Sequence, residues 1–92
     1  MESTQATFAI GKNRSRAEIA AIILSVARNA EPQIRIMEEA RLSSQRLRFY
    51  LSELTKSGLI EISYANGKRV YVTSQKGIQY LTQYSALTKL LK

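Results

Sequence analysis

Ninety-two residues, 45% of them apolar, with fourteen Lys/Arg against seven Glu for a net charge of +7, fit one small basic globular domain and not two. The chain has no Cys, His, Asp or Trp, which removes the usual zinc ligand sets and every nucleophile built on Cys or His. No apolar run approaches the roughly 18 residues that a bilayer span requires.

Residues 1–13 show no period and are expected to fray, with Phe8 and Ile10 able to touch the body. Ser15-Arg16-Ala17-Glu18 reads as a capping box, in which serine caps the amide three residues on and the glutamate reaches back. Ile19, Ile22, Ile23, Val26 and Ala27 follow at helical spacing, predicting a first helix to about Arg28. Asn29-Ala30-Glu31-Pro32 breaks it, and proline suits the first turn of the next helix. That second helix carries Ile36, Met37 and Ala40 on its apolar face. Only Arg41-Leu42 intervene before Ser43, a good N-cap for a third. Two short helices joined so tightly must cross at a large angle, as in a helix-turn-helix.

The third helix has Leu47, Tyr50, Leu51 and Leu54 as its buried stripe, and Gly58 sits where a left-handed residue ends it. The period then changes. LIEISY and RVYVT flank Asn66-Gly67, a pair that supplies the positive φ angles of a type I′ hairpin turn. Thr73 or Ser74 caps a fourth helix running toward Lys92. The expected fold is mainly α with a small β-hairpin, in the order α-α-α-β-β-α.

From Leu42 to Leu81 this pattern resembles the winged helix-turn-helix superfamily. The likeness rests on Leu42-Ser43, Leu47, Leu51, Leu54, Lys56-Ser57-Gly58-Leu59-Ile60, the Asn66-Gly67 wing and Tyr71-Val72-Thr73-Ser74-Gln75-Lys76-Gly77. Similar patterns occur in bacterial and archaeal regulators of the MarR and ArnR kinds. A basic segment before helix one, a near-absent first strand, Arg35-Ile36-Met37 and a C-terminal helix are similar to the small archaeal dimeric winged-helix proteins associated with chromatin. The resemblance spans about residues 12–90 and implies a dimeric DNA-binding protein, a regulator or nucleoid component. The last helix is short for the long antiparallel coiled coil of those dimers.

The third helix also carries the candidate binding chemistry. With its leucine stripe inward, Gln45, Phe49, Ser52 and Lys56 point outward, flanked by Arg46 and Arg48. Arg46 or Arg48 can give two donors to a guanine edge, Gln45 can pair with adenine, and Phe49 can cover a thymine methyl or a sugar. Ser43 and Ser44 can donate to phosphate at the positive helix end. Lys68 and Arg69 at the wing apex can reach the minor groove or backbone. Lys12, Arg14 and Arg16 place cations against the dipole of helix one, a cost of roughly 0.3–1 kcal/mol each that a bridging phosphate would relieve. Arg35, with Arg41, is a further candidate for phosphate.

Basic residues on three elements converging on one groove favour double-stranded DNA over a membrane surface, which calls for one amphipathic helix. Tyr80, Tyr84, Leu87 and Leu91 recur along the last helix beyond what one short helix can bury, suggesting a homodimer interface. The expected division is a loose segment 1–13, a winged domain 14–76 and a dimerising helix 77–92. The N-terminus lacks the features of a secretory signal, so the expected compartment is the cytoplasm, at the nucleoid. No catalysis, cofactor or metal is expected. Glu38 and Glu39 diverge on their helix, and no glycine-rich loop accompanies any serine. The rival reading is a winged helix used for protein–protein assembly.

Overall fold

The computed structural model describes residues 14–91. The segment 1–13, and with it Lys12, lies outside the described residues. The elements run α1 Arg16–Ala27, α2 Gln33–Ala40, α3 Ser44–Lys56, β1 Ile60–Ala65, β2 Lys68–Thr73 and α4 Gln75–Leu90. This is the anticipated order of three helices, a hairpin and a final helix.

The caps explain the boundaries. Ser15, Ser43 and Ser74 each accept, through the side chain, the amide of the residue three positions on, satisfying one of the orphan donors of each helix start. Of the box at α1 only the serine half forms, as Ser15 Oγ accepts from the Glu18 amide at 3.0 Å. Ser74, not Thr73, caps α4. Pro32 stands at the N-cap of α2, one position before its first turn. Arg41 ends α2 in the left-handed conformation, φ 55°, and Gly58 follows α3 at φ 77°.

The wing closes as expected. Ala65 pairs with Lys68 around a two-residue loop, and Asn66 and Gly67 take φ 53° and 77°, the type I′ signature. The weak first strand survives as one bridge. The Glu31 amide donates to the Tyr71 carbonyl at 3.0 Å and the Tyr71 amide to the Glu31 carbonyl at 2.8 Å, giving β2 a partner on its second edge.

Ile19, Ile23 and Leu24 of α1, Ile36 of α2 and Leu47 of α3 are essentially inaccessible, with Ile60 of β1 beside them. The four residues expected inside on α3 are all buried. Thr73 Oγ1 donates to the Leu24 carbonyl at 2.6 Å, fastening the end of the hairpin to α1. Gly77 of α4 is buried against the strand entry.

The stripe expected to be exposed along α4 divides. Tyr80 packs on the core and donates its hydroxyl to the Ala17 carbonyl at 2.9 Å. Its ring stacks on Tyr84, centroids 6.2 Å apart. Beyond them Leu87, Leu90 and Leu91 are 62%, 79% and 87% exposed. Burial, and then the neighbouring Tyr84, raises the Tyr80 pKa above the ordinary 10.0. Burial, and then Glu18, does the same for Tyr84. A phenol that holds its proton more tightly when folded contributes stability below pH 10, and this is lost as pH rises through the folded values. An ultraviolet titration is therefore expected to show Tyr80 and Tyr84 ionising above pH 10. Denaturant midpoints should fall above pH 10, and Tyr80→Phe with Tyr84→Phe should flatten that fall.

Candidate nucleic-acid interface

The turn Arg41–Ser43 joins α2 to α3, and Leu42, buried within that turn, pins it to the core. The outward face of α3 is therefore fixed by its own leucines. Ser43, Ser44, Gln45, Arg46, Arg48, Phe49, Ser52 and Lys56 are all exposed, as the helical spacing anticipated. Among the described residues, neither Arg46 nor Arg48 has a carboxylate within ion-pair distance. The ion pairs formed are Arg35 with Glu31 and Glu39, and Lys56 with Glu53 at 3.9 Å. Arg48 Nη1 donates to Ser44 Oγ at 3.0 Å, one turn back.

Phe49 is 48% exposed. Its ring meets Tyr50 edge-on at 5.4 Å, and the Arg16 guanidinium lies 5.9 Å from its centroid, within cation–π range. Arg16 thus faces α3, and Arg14, Arg16, Gln45, Arg46 and Phe49 line one open cleft on that side. Arg14 has a structural engagement as well. Its guanidinium donates to the carbonyls of Ala40 at 2.8 Å and Arg41 at 3.3 Å, groups left unsatisfied at the end of α2, where a cation is favourable. The sequence held no signal for this contact, because residues 26 and 27 positions apart meet only in the folded chain. Arg35, 52% exposed, sits between Glu31 and Glu39 at 3.8 and 3.5 Å, so its charge is partly answered within α2 and by Glu31, two positions before the helix begins.

On the other flank of α3 a second groove runs under the wing, lined by Gln33, Arg48, Ser52, Lys56, Ile62, Arg69 and Tyr71. Arg69 donates to the Tyr71 hydroxyl at 3.4 Å. That bond, and then the charges of Tyr71 and Tyr64, raise its already high pKa. Lys68 stands at the exposed wing tip. Ile62 and Tyr64, 45% and 69% exposed, extend the wing surface beyond Lys68 and Arg69, the two residues that the sequence singles out there. Strand alternation puts Ile60, Ile62 and Tyr64 on one face. Only the tertiary fold shows that the core covers Ile60 and leaves the other two wet.

Among the described residues no cluster of His, Cys, Asp or Glu could hold a metal ion, and no helix is long and apolar enough to cross a membrane. The winged helix-turn-helix family model matches residues 13–92. The chain belongs to the winged helix-turn-helix family. In fold, this winged-helix chain is similar to Sso10a-2, a DNA-binding protein from Sulfolobus solfataricus, with TM-score 0.75, 25% identity, 84% of this chain and 81% of that one covered. It also shares its fold with wild-type Lactococcus lactis ZitR in complex with DNA (TM-score 0.64, 18% identity, 90% and 66% covered). NMB1585, a MarR family regulator from Neisseria meningitidis, is a further neighbour (TM-score 0.61, 21% identity, 77% and 53% covered). No curated protein matches the chain by sequence. The family and fold are those of winged helix-turn-helix domains, not of enzymes.

Proposed function

We propose that this winged-helix protein binds double-stranded DNA, laying the N-terminal half of α3 in the major groove and the wing on the adjacent backbone or minor groove. It would act as a transcriptional regulator or nucleoid-associated protein in the cytoplasm. The observation that carries the reading is the uncovered ridge from Ser43 to Phe49, whose Arg46 and Arg48 meet no internal carboxylate among the described residues. Arg69 extends the cationic surface on one side of it and Arg16 on the other, and Lys68 is exposed next to Arg69 at the wing tip, a spread of charge suited to one approaching polyanion. Sso10a-2 is a DNA-binding protein and ZitR is known in complex with DNA, which supports the same partner here.

In this reading residues 14–76 form the DNA-binding unit and 77–92 join two copies. Leu87, Leu90 and Leu91 leave an apolar end on α4 with no cover from the described residues, and a two-fold dimer would set two α3 helices about one DNA turn apart, or a multiple of it. Sedimentation equilibrium is expected to return a dimer; a monomer at high micromolar concentration would end this part of the reading.

DNA binding is tested by fluorescence anisotropy on random duplex across a salt series. With about six phosphates neutralised per dimer, the slope of log affinity on log salt should be near −5. No binding at low salt would favour the rival use of the fold as a protein–protein module.

A further inference from the structure

The two arginines of α3 stand on opposite sides of the helix. At about 100° per residue, Leu47, Tyr50, Leu51 and Leu54 average to the inward direction, and Gln45, Phe49, Ser52 and Lys56 to its opposite. Arg46 then leaves the helix about 90° to one side of the outward line and Arg48 about 70° to the other. The surroundings agree with the wheel. Arg46 lines the cleft shared with Arg14, Arg16 and Phe49. Arg48 lines the groove shared with Ser52 and Arg69 beneath the wing, and its bond to Ser44 Oγ at 3.0 Å draws it back along the helix, away from the outward line.

A helix with its side chains is about 10–12 Å across and the major groove about 12 Å wide. Groups on the two flanks of such a helix meet the two phosphate walls before they meet the floor. The central line that faces the base edges holds Gln45, Phe49 and Ser52. Its one cation, Lys56, lies at the far end of the helix beside Glu53.

We propose, resting on the DNA-binding reading above, that Arg46 and Arg48 clamp the two opposite backbones of the major groove, and that the bases are read by Gln45 and Phe49 alone. The ligand class follows from the chemistry of those two side chains. The carboxamide of Gln45 matches the donor–acceptor pair on adenine, and the ring of Phe49 covers the thymine C5-methyl. With no guanidinium on the central line, the guanine edge lacks its usual partner. The preferred duplex is A·T-rich and carries thymine methyls.

The test compares wild type with Arg46→Ala, Arg48→Ala, Gln45→Ala and Phe49→Ala on three duplexes of equal length, each across a salt series. One duplex is A·T only, one is the same with deoxyuridine for thymidine, and one is G·C only. Wild type should favour A·T over G·C about ten-fold, the scale of one bidentate base contact, and should bind the deoxyuridine duplex several-fold more weakly. Each arginine variant should weaken all three alike and make the salt slope shallower by about 0.9 per domain. Phe49→Ala should erase the difference between thymidine and deoxyuridine, and Gln45→Ala should narrow the A·T preference, both with the slope kept. Gln45, Arg46 and Arg48 are exposed, so unchanged melting temperatures are expected for their variants, whereas Phe49→Ala gives up the contacts with Tyr50 and Arg16 and should melt somewhat lower while still folded. An arginine variant that loses G·C affinity selectively at constant slope overturns the proposal, as does a Phe49→Ala protein that still distinguishes thymidine from deoxyuridine. Wild type failing on every duplex would overturn the DNA-binding reading itself, a distinguishable result.

Discussion

A Gly77→Ala variant is expected to melt below wild type by about 4–16 °C, although alanine is the better helix former by about 1 kcal/mol. A Cβ at Gly77 would overlap the Leu59 carbonyl oxygen and lie 2.5 Å from Thr73 Cγ2. Neither neighbour can retreat cheaply. The Leu59 carbonyl accepts the Ser74 amide at 3.0 Å, Ser74 Oγ donates to the Gly58 carbonyl at 2.5 Å and accepts the Gly77 amide at 3.1 Å, and Thr73 is held to Leu24. The methyl therefore forces the start of α4 away from the strand entry and strains this whole knot. Overpacking of that kind costs about 1–3 kcal/mol, occasionally more, and in a domain of this size each kcal/mol moves the melting temperature by roughly 4–8 °C. Differential scanning calorimetry decides it. A melting temperature equal to or above wild type would mean that α4 starts with open space beside Gly77.

The second large effect separates binding from folding. The double variant Arg46→Glu with Arg48→Glu is expected to lose about a thousand-fold in affinity for random duplex at low salt. Removal of one contacting arginine costs roughly 1–3 kcal/mol, and reversing two charges at a polyanion exceeds the loss from truncating them. Stability should hold or rise. Both positions lie in the first turns of α3, where the helix dipole favours anions by about 0.3–1 kcal/mol, and Arg46→Glu completes a capping box with Ser43. Parallel anisotropy and thermal melts test the pair. Retained affinity would exclude groove insertion by this face, and a collapsed melting temperature would mean that these side chains support the fold.

Much of the molecule follows from local rules. Ser43, Gly58 and Asn66-Gly67 act within a few residues of themselves, by capping an amide or adopting positive φ, so the ends of α3 and the turn of the wing needed no tertiary information. The leucine stripe of α3 likewise fixed its wet face, because burying Leu47, Leu51 and Leu54 leaves only one direction for Gln45 and Phe49.

The sequence alone therefore determined the succession of elements, the excess of positive charge and the side chains that α3 turns outward, since each depends on composition or on contacts a few residues apart. Tertiary structure decided the partners of those side chains. It sent Arg14 to the carbonyls ending α2, stacked Arg16 over Phe49, placed Arg35 between two glutamates, and split the aromatic and leucine stripe of α4 into a packed half and an exposed half. A long flexible cation is drawn to whichever carbonyl, ring or carboxylate the fold brings within reach, and that neighbour comes from a distant part of the chain.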